Sequence, residues 1–133
     1  MNTSQGNRGI VWIIIGVAVL ANIAGYMFNL YEQFWWFDDV LHGYTIFAIT
    51  LMLGLLAYGV VLTGHDNHPL LLVLMIASIG LAIGGLWEVA EWAYDQTTAT
   101  NSILGKTDTI IDLIMDSVGA LVAGFLSLGM LKH

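Results

Sequence analysis

The sequence predicts an all-α protein whose helices form a four-helix transmembrane bundle. Hydrophobic residues make up 58% of the 133-residue chain and charged residues only 10%, whereas roughly a quarter of the residues in soluble domains are charged. Four apolar stretches each reach the ~20 residues that a helix needs to cross a bilayer. None of them alternates polar and apolar residues as the strands of a membrane barrel do. The length suits a single integral membrane domain over residues 1–133.

The first apolar stretch is expected to be a retained helix and not a signal peptide. Its apolar core is too long for a signal peptide, and no small-residue cleavage pattern follows it. Asn22 and Asn29 are its polar members. The predicted membrane spans are about residues 10–30, 40–62, 70–94 and 109–131.

Short polar or aromatic connections separate the four spans. Residues 31–37 carry five aromatic rings, which is typical of the belt at the membrane–water interface. A tight turn is expected from His65 to Pro69, with Pro69 in the first turn of the third span, where a missing N–H costs little. Residues 96–107 form the longest predicted loop, and Thr107 or Asp108 is expected to cap the fourth span.

Composition excludes several classes of function. The net charge is −7 and there are only three Lys and Arg residues, so no basic patch exists for nucleic acid. The chain has no cysteine, which excludes disulfides, thiolate catalysis and Cys-based zinc or iron–sulfur sites. Expected partners are membrane lipid and sister subunits, since an apolar exterior suits both.

Eight of the ten carboxylates lie in three clusters in or beside the apolar stretches. Acidic side chains are costly in hydrocarbon and usually face a protein interior, a cavity or a partner. Too few protein cations are present to neutralise them, so protons, metal ions or water must do so. The first cluster is Asp38 and Asp39 with His42; the second is Glu88, Glu91 and Asp95; the third is Asp108, Asp112 and Asp116.

The order of the spans predicts that the three clusters meet. The first cluster opens the second span, the second cluster closes the third span and the third cluster opens the fourth, so all three belong to one leaflet. Arg8 and Lys132 flank the outer ends of the first and last spans, opposite Lys106. The positive-inside rule therefore predicts cytoplasmic termini, a multi-pass protein of the cell (inner) membrane and an extracytoplasmic acidic site.

Spacing within each cluster predicts shared helix faces. Either aspartate of the first cluster precedes the histidine by one helical turn, the second cluster follows an i, i+3, i+7 pattern and the third an i, i+4, i+8 pattern. Carboxylates with one imidazole suit Mg²⁺, Mn²⁺, Ca²⁺, iron or Zn²⁺, in one or two ions as in dimetal four-helix bundles. The predicted ligands are Asp39, His42, Glu88, Glu91, Asp112 and Asp116.

Other roles are open for part of the acidic set. Asp38 or Asp39 can be a ligand or can orient His42, and Asp38, Asp95 and Asp108 are expected to be helix caps or interfacial groups. The leading interpretation is metal-assisted chemistry on a lipid or lipid-linked substrate, since no nucleophile motif is present. A proton- or cation-coupled transporter and an accessory subunit with structural ions are the alternatives. The transporter requires polar residues through the opposite leaflet, where they are scarce.

Three motifs in order resemble a known family. They are Asp39-x-x-His42-Gly43, Glu88-x-x-Glu91-Trp92 and Asp108-x-x-x-Asp112-x-x-x-Asp116 followed by Gly119-Ala120. This arrangement, over about residues 35–124, resembles the small integral membrane proteins called YjdF-like and is more distantly similar to the VanZ-like family. The chain is shorter than YjdF-like members and lacks the arginine that often precedes the VanZ-like aspartate. The resemblance implies a polytopic membrane protein, with a loose VanZ-like link to glycopeptide-antibiotic tolerance, and implies no reaction.

Overall fold

The structure, a computed structural model, describes residues 3–58, 68–98, 100 and 102–131. In this part of the chain all regular structure is helical, which confirms the predicted all-α class. Four of the helices are long and apolar enough to cross a membrane. The helices are α1 (Thr3–Met27), α2 (Leu30–Gln33), α3 (Phe37–Tyr58), α4 (Pro69–Thr97) and α5 (Lys106–Leu131).

Helix ends differ from the expected ones by about one or two turns on both sides of the bundle. The first long helix ends at Met27, because Asn29 adopts the left-handed conformation with φ of 53°, which an asparagine tolerates. The aromatic connection then contains the short helix α2, which hydrophobicity alone does not reveal. Helices α3 and α5 begin about one turn earlier than predicted, and α4 ends about one turn later.

On the other side of the bundle, α1 begins at Thr3, about two turns before the predicted start at residue 10. Helix α4 begins at Pro69, in the first turn as predicted. The predicted end of the second span and most of the turn from His65 to Pro69 fall on residues 59–67, which lie outside the described residues.

Helix α3 contacts each of the other helices and packs most extensively against α5, which also packs against α4. Because successive spans alternate in direction, α3 and α5 run parallel. Their backbones cross at Gly43 and Gly119, where a Cβ on Gly43 would lie 3.1 Å from the carbonyl oxygen of Met115 and one on Gly119 would overlap the carbonyl oxygen of Gly43. Small residues at such crossings let membrane helices approach closely.

Away from the acidic end, the helices pack through apolar layers and buried hydroxyls. Val11, Leu51 and Ala123 form one buried cluster. Thr50 and Ser127 are fully buried, with hydroxyl oxygens that have no hydrogen-bond partner among the described residues. They lie against the backbones of Gly80 and Gly54, respectively. The outer surface is apolar, as expected of helices that face lipid; for example, Trp12 is 67% exposed and Phe125 59%.

The Gly43–Gly119 crossing predicts a strong effect of a single methyl group. Gly119→Ala is expected to lower the free energy of unfolding by about 1–3 kcal/mol, because overpacking must displace the α3 backbone. The matched control is Gly129→Ala in the same helix, where a Cβ would meet nothing within 4 Å. The control should be neutral or stabilising by up to ~1 kcal/mol. Unfolding in detergent measures both, and equal stability of the two variants would contradict the crossing.

Candidate metal centre

The three acidic clusters meet around one imidazole. His42 lies in α3, one turn from Asp38, and is only 7% exposed. Helix α4 supplies Glu88 and Glu91 from its last turns, and α5 supplies Asp116 from its third turn. The same-leaflet juxtaposition that the topology predicted is therefore present in the structure.

Both edges of the His42 ring face carboxylates. Its Nδ1 lies 3.5 Å from Asp116 Oδ1 and 3.8 Å from Glu88 Oε1. Its Nε2 lies 3.9 Å from Asp38 Oδ1 and 4.0 Å from Glu91 Oε1. These separations exceed an ordinary hydrogen bond. They suit atoms that share a cation, because two ligands each about 2.1 Å from a tetrahedral Zn²⁺ are about 3.4 Å apart, and larger ions space them further.

Among the residues that the structure describes, three groups of side chains bring one possible ligand atom each to within 4.8 Å of one another. His42 and Asp112 each belong to two of these groups, so neighbouring groups share a residue. The groups are His42, Glu88 and Glu91; Asp38, His42 and Asp112; and Asp39, Asp108 and Asp112.

The inner carboxylates are buried without hydrogen-bond partners. Asp116 is 0% exposed, Asp112 2% and Glu88 6%. Among the described residues, nothing hydrogen-bonds either oxygen of Asp116 or Glu88, or Oδ1 of Asp112. A buried charge without a partner is strongly unfavourable, and buried polar atoms are normally satisfied. A protonated His42 would pair with Asp116 Oδ1 and Glu88 Oε1, and the remaining oxygens require a proton, a cation or water.

All six predicted ligands lie in this region, but they divide between two places. Glu88, Glu91 and Asp116 surround His42, Asp39 lies in the group with Asp108, and Asp112 belongs both to that group and to one with His42. Asp38 and Asp108 were expected to be caps or interfacial groups, yet both belong to ligand groups. One-turn spacing, Asp38 to His42 and Asp108 to Asp112, is the sequence signal that could have included them.

Asp95 and Asp108 also hold the loop between α4 and α5. Asp95 accepts the backbone N–H groups of Ser102 and Ile103, each at 2.9 Å, and the hydroxyl of Thr100. Asp108 accepts the N–H of Leu104 at 2.9 Å. Helix α5 already begins at Lys106, so Asp108 acts from within its first turn and is not the residue before it. The expectation that Asp95 is structural agrees with these contacts.

A cavity of about 50 Å³ that several polar side chains help to line borders the Nε2 edge of His42, between α1, α2, α3 and α4. Trp87 donates a 2.9 Å hydrogen bond to Glu91 at its wall. Tyr31 donates to Asn22 Oδ1 at 3.2 Å, and burial, with nearby Tyr26 and Asp38, raises the pKa of the Tyr31 hydroxyl, which keeps it a donor. The cavity has room and polar partners for water.

A second, apolar groove of about 400 Å³ borders the same centre from the opposite face of α4. It runs between α4 and α5, and Glu88 is the residue that belongs to both the groove and the centre. The centre is thus flanked by a polar cavity on one side and an apolar groove on the other.

Residues 5–133 match the model of a family described as "Predicted membrane protein (DUF2238)". The chain belongs to the DUF2238 family. The resemblance to YjdF-like proteins is consistent with this membership. A DUF2238-type chain is therefore an integral membrane protein, in agreement with its four long apolar helices.

One curated relative, an "Uncharacterized protein" of Thermotoga maritima, is 34% identical over 105 residues. The match covers 75% of this chain and 52% of the relative, so the chain spans about half the length of the relative it matches. No solved structure matches this DUF2238 member.

The hydrogen bonds of Asp95 predict a structural role for this carboxylate in the loop between α4 and α5. Asp95→Ala is expected to loosen residues 98–105 and speed cleavage there by a protease, because two backbone N–H groups and a hydroxyl lose their acceptor. Limited proteolysis of the detergent-purified protein, followed by mass spectrometry, measures this. Exposed Glu32, on α2, provides the control variant Glu32→Ala, which should leave the cleavage rate unchanged. An unchanged rate in Asp95→Ala would show that the loop does not depend on this carboxylate.

Proposed function

We propose that this protein binds divalent metal ions within one leaflet of the membrane and uses them in chemistry on a lipid or lipid-linked substrate. The observation that carries the proposal is the buried His42 ring with carboxylates of three helices 3.5–4.0 Å from its nitrogens. Several of those carboxylate oxygens have no other partner. A metal ion would neutralise several of them at once, which no nearby Lys or Arg side chain of the described residues does.

The donor set limits the metal. Carboxylate oxygens and one imidazole are hard-to-borderline ligands, which favours Mg²⁺, Mn²⁺, Ca²⁺, iron or Zn²⁺ over soft metals. Asp112 belongs both to the group with His42 and to the outer group with Asp39 and Asp108. This sharing supports two ions, with Asp112 between them. In paired sites of this kind two metals stabilise the attacking and leaving oxygens of a displacement.

The surroundings favour an amphiphilic substrate. A polar cavity reaches the centre from one side and an apolar groove from the other, both in the leaflet of the acidic clusters. Water can reach the centre through the first, while a hydrocarbon chain fits the second. With cytoplasmic termini, as the positions of Arg8 and Lys132 favour, this leaflet is the extracytoplasmic one.

Packing beyond the centre favours a one-sided site over a through-membrane pathway. Below Asp116, the hydroxyls of Thr50 and Ser127 lie in close contact with the backbones of Gly80 and Gly54. Hydroxyl-on-glycine packing is a common way for membrane helices to associate. It occupies the space that a transported cation would need.

Metal content tests the proposal directly. We expect one or two equivalents of a divalent metal in the detergent-purified protein, measured by elemental analysis. Asp112→Asn, at the shared position, should lose all of it. If two ions bind, Glu88→Gln should lose the inner ion and Asp108→Asn the outer one. Glu32→Gln removes an exposed carboxylate of α2 and is the matched control that should retain full content.

One outcome of the metal analysis would contradict the proposal. Absence of bound metal in the wild-type protein after dialysis against each candidate ion, with the bundle still folded, would overturn the proposal. The buried carboxylates would then have to be protonated, and proton or cation flux in liposomes would become the relevant assay.

Chelation distinguishes a reactive centre from structural ions. Because apolar contacts such as those of Val11, Leu51 and Ala123 hold the helices together away from the centre, we expect the metal-free protein to remain helical by circular dichroism. Re-addition of metal should restore conversion of a lipid extract, followed by mass spectrometry, and His42→Ala should abolish that conversion. Unfolding on chelation would instead support an accessory subunit with structural ions.

A further inference from the structure

The groove between α4 and α5 extends from Lys106 to Glu88, a residue of the buried centre. Its walls are apolar, and its volume is about 400 Å³. Val89, Trp92 and Ile110 are exposed to 58%, 57% and 46%, so the groove opens toward lipid. Its main lining residues are Glu88, Val89, Trp92, Lys106, Thr109 and Ile110.

Lys106 places a positive charge at the groove's outer end. It is the first residue of α5 and is exposed. Among the side chains that the structure describes, Lys106 is the only Lys or Arg. The N–H groups of the first helical turn lack intrahelical acceptors, and a helix start favours anions. The lysine and the helix start together would suit an anion at the outer end of the groove.

Glu88 marks the groove's connection to the centre. It is 6% exposed, neither of its carboxylate oxygens has a hydrogen-bond partner, and its Oε1 lies 3.8 Å from His42 Nδ1. A ligand in the groove would therefore lie between a lysine cation and a carboxylate of the proposed metal centre. The carboxylates of Glu88 and Asp108 also repel anions, so a bound divalent ion should strengthen the attraction.

We propose that this groove binds an anionic glycerophospholipid. Its phosphate would lie at Lys106 and the start of α5, and one acyl chain would lie along Val89, Trp92 and Ile110. The inference rests on the proposed function, because it names the substrate class of the same centre. An anionic lipid satisfies the charge of Lys106 and the apolar walls together, which neither a free phosphate nor a zwitterionic lipid does as well.

Tryptophan quenching by brominated lipids tests the groove in the full chain. The protein is reconstituted in phosphatidylcholine vesicles that contain brominated-chain phosphatidylglycerol or, at equal mole fraction, brominated phosphatidylcholine. We expect stronger quenching by the anionic lipid. Trp92→Phe should remove most of the difference, because Trp92 lines the groove, while Trp12→Phe in α1 should preserve it.

Lysine variants test the outer end of the groove. Lys106→Gln should abolish the preference for the anionic lipid, and Lys106→Arg should retain it. Lys132→Gln, at the residue that follows α5, removes the same charge and should leave the preference intact. Because Lys106 is exposed, both of its variants are expected to fold, and rescue by arginine excludes a folding defect. Equal quenching by the two lipids in the wild-type protein, or an unchanged preference in Lys106→Gln, would overturn the inference.

Metal content measured on the same samples separates the two proposals. Bound metal without an anionic-lipid preference would refute the groove and leave the metal centre. A lipid preference that persists in a protein without metal would support the groove and refute the metal centre. Added chelator should weaken the preference of the wild-type protein and should have no effect in Lys106→Gln.

Discussion

The cost of burying carboxylates in a membrane with almost no protein cations is the constraint on which the rest of this structure depends. Glu88, Asp112 and Asp116 are at least nine-tenths buried, and a protein interior does not hold such groups ionised without compensation. The sequence offers His42 and few other positive groups. The bundle therefore gathers its acids around that single imidazole, where a shared ion or proton can stabilise them together.

Glycines permit this arrangement by letting backbones approach. A Cβ at Gly84 would overlap the Asp116 carboxyl group, so the bare α4 backbone is what allows that side chain to sit at the α4–α5 contact. The Gly43–Gly119 crossing draws α3 against α5 directly beside His42 and Asp116. The same close helix contacts that hold the bundle together therefore also bring the polar side chains near one another.

The sequence predicted the fold and the meeting of the acidic clusters because both follow from the number and order of the apolar runs. Four apolar runs imply alternating spans, and alternation places His42, Glu88 and Asp112 in one leaflet whatever the packing. The short helix α2 and the early starts of α3 and α5 were missed, because Asn29 and the loop contacts of Asp95 decide them. Asp38 and Asp108 were left out of the predicted ligand set for a related reason. A carboxylate in the first turn looks like a cap until the neighbouring helices are in place.

The two openings beside the centre are what favour the proposed lipid chemistry over the alternatives. On the Nε2 side of His42, Asn22, Thr45 and Glu91 line a cavity that can hold water. On the far side, Glu88 faces a groove with apolar walls and a lysine at its rim. A structural ion needs neither opening, and a transported ion needs a continuation past Asp116, where Thr50 and Ser127 are instead packed against glycine backbones. Ligands between water and hydrocarbon, at headgroup depth, fit a reaction at the polar end of a lipid.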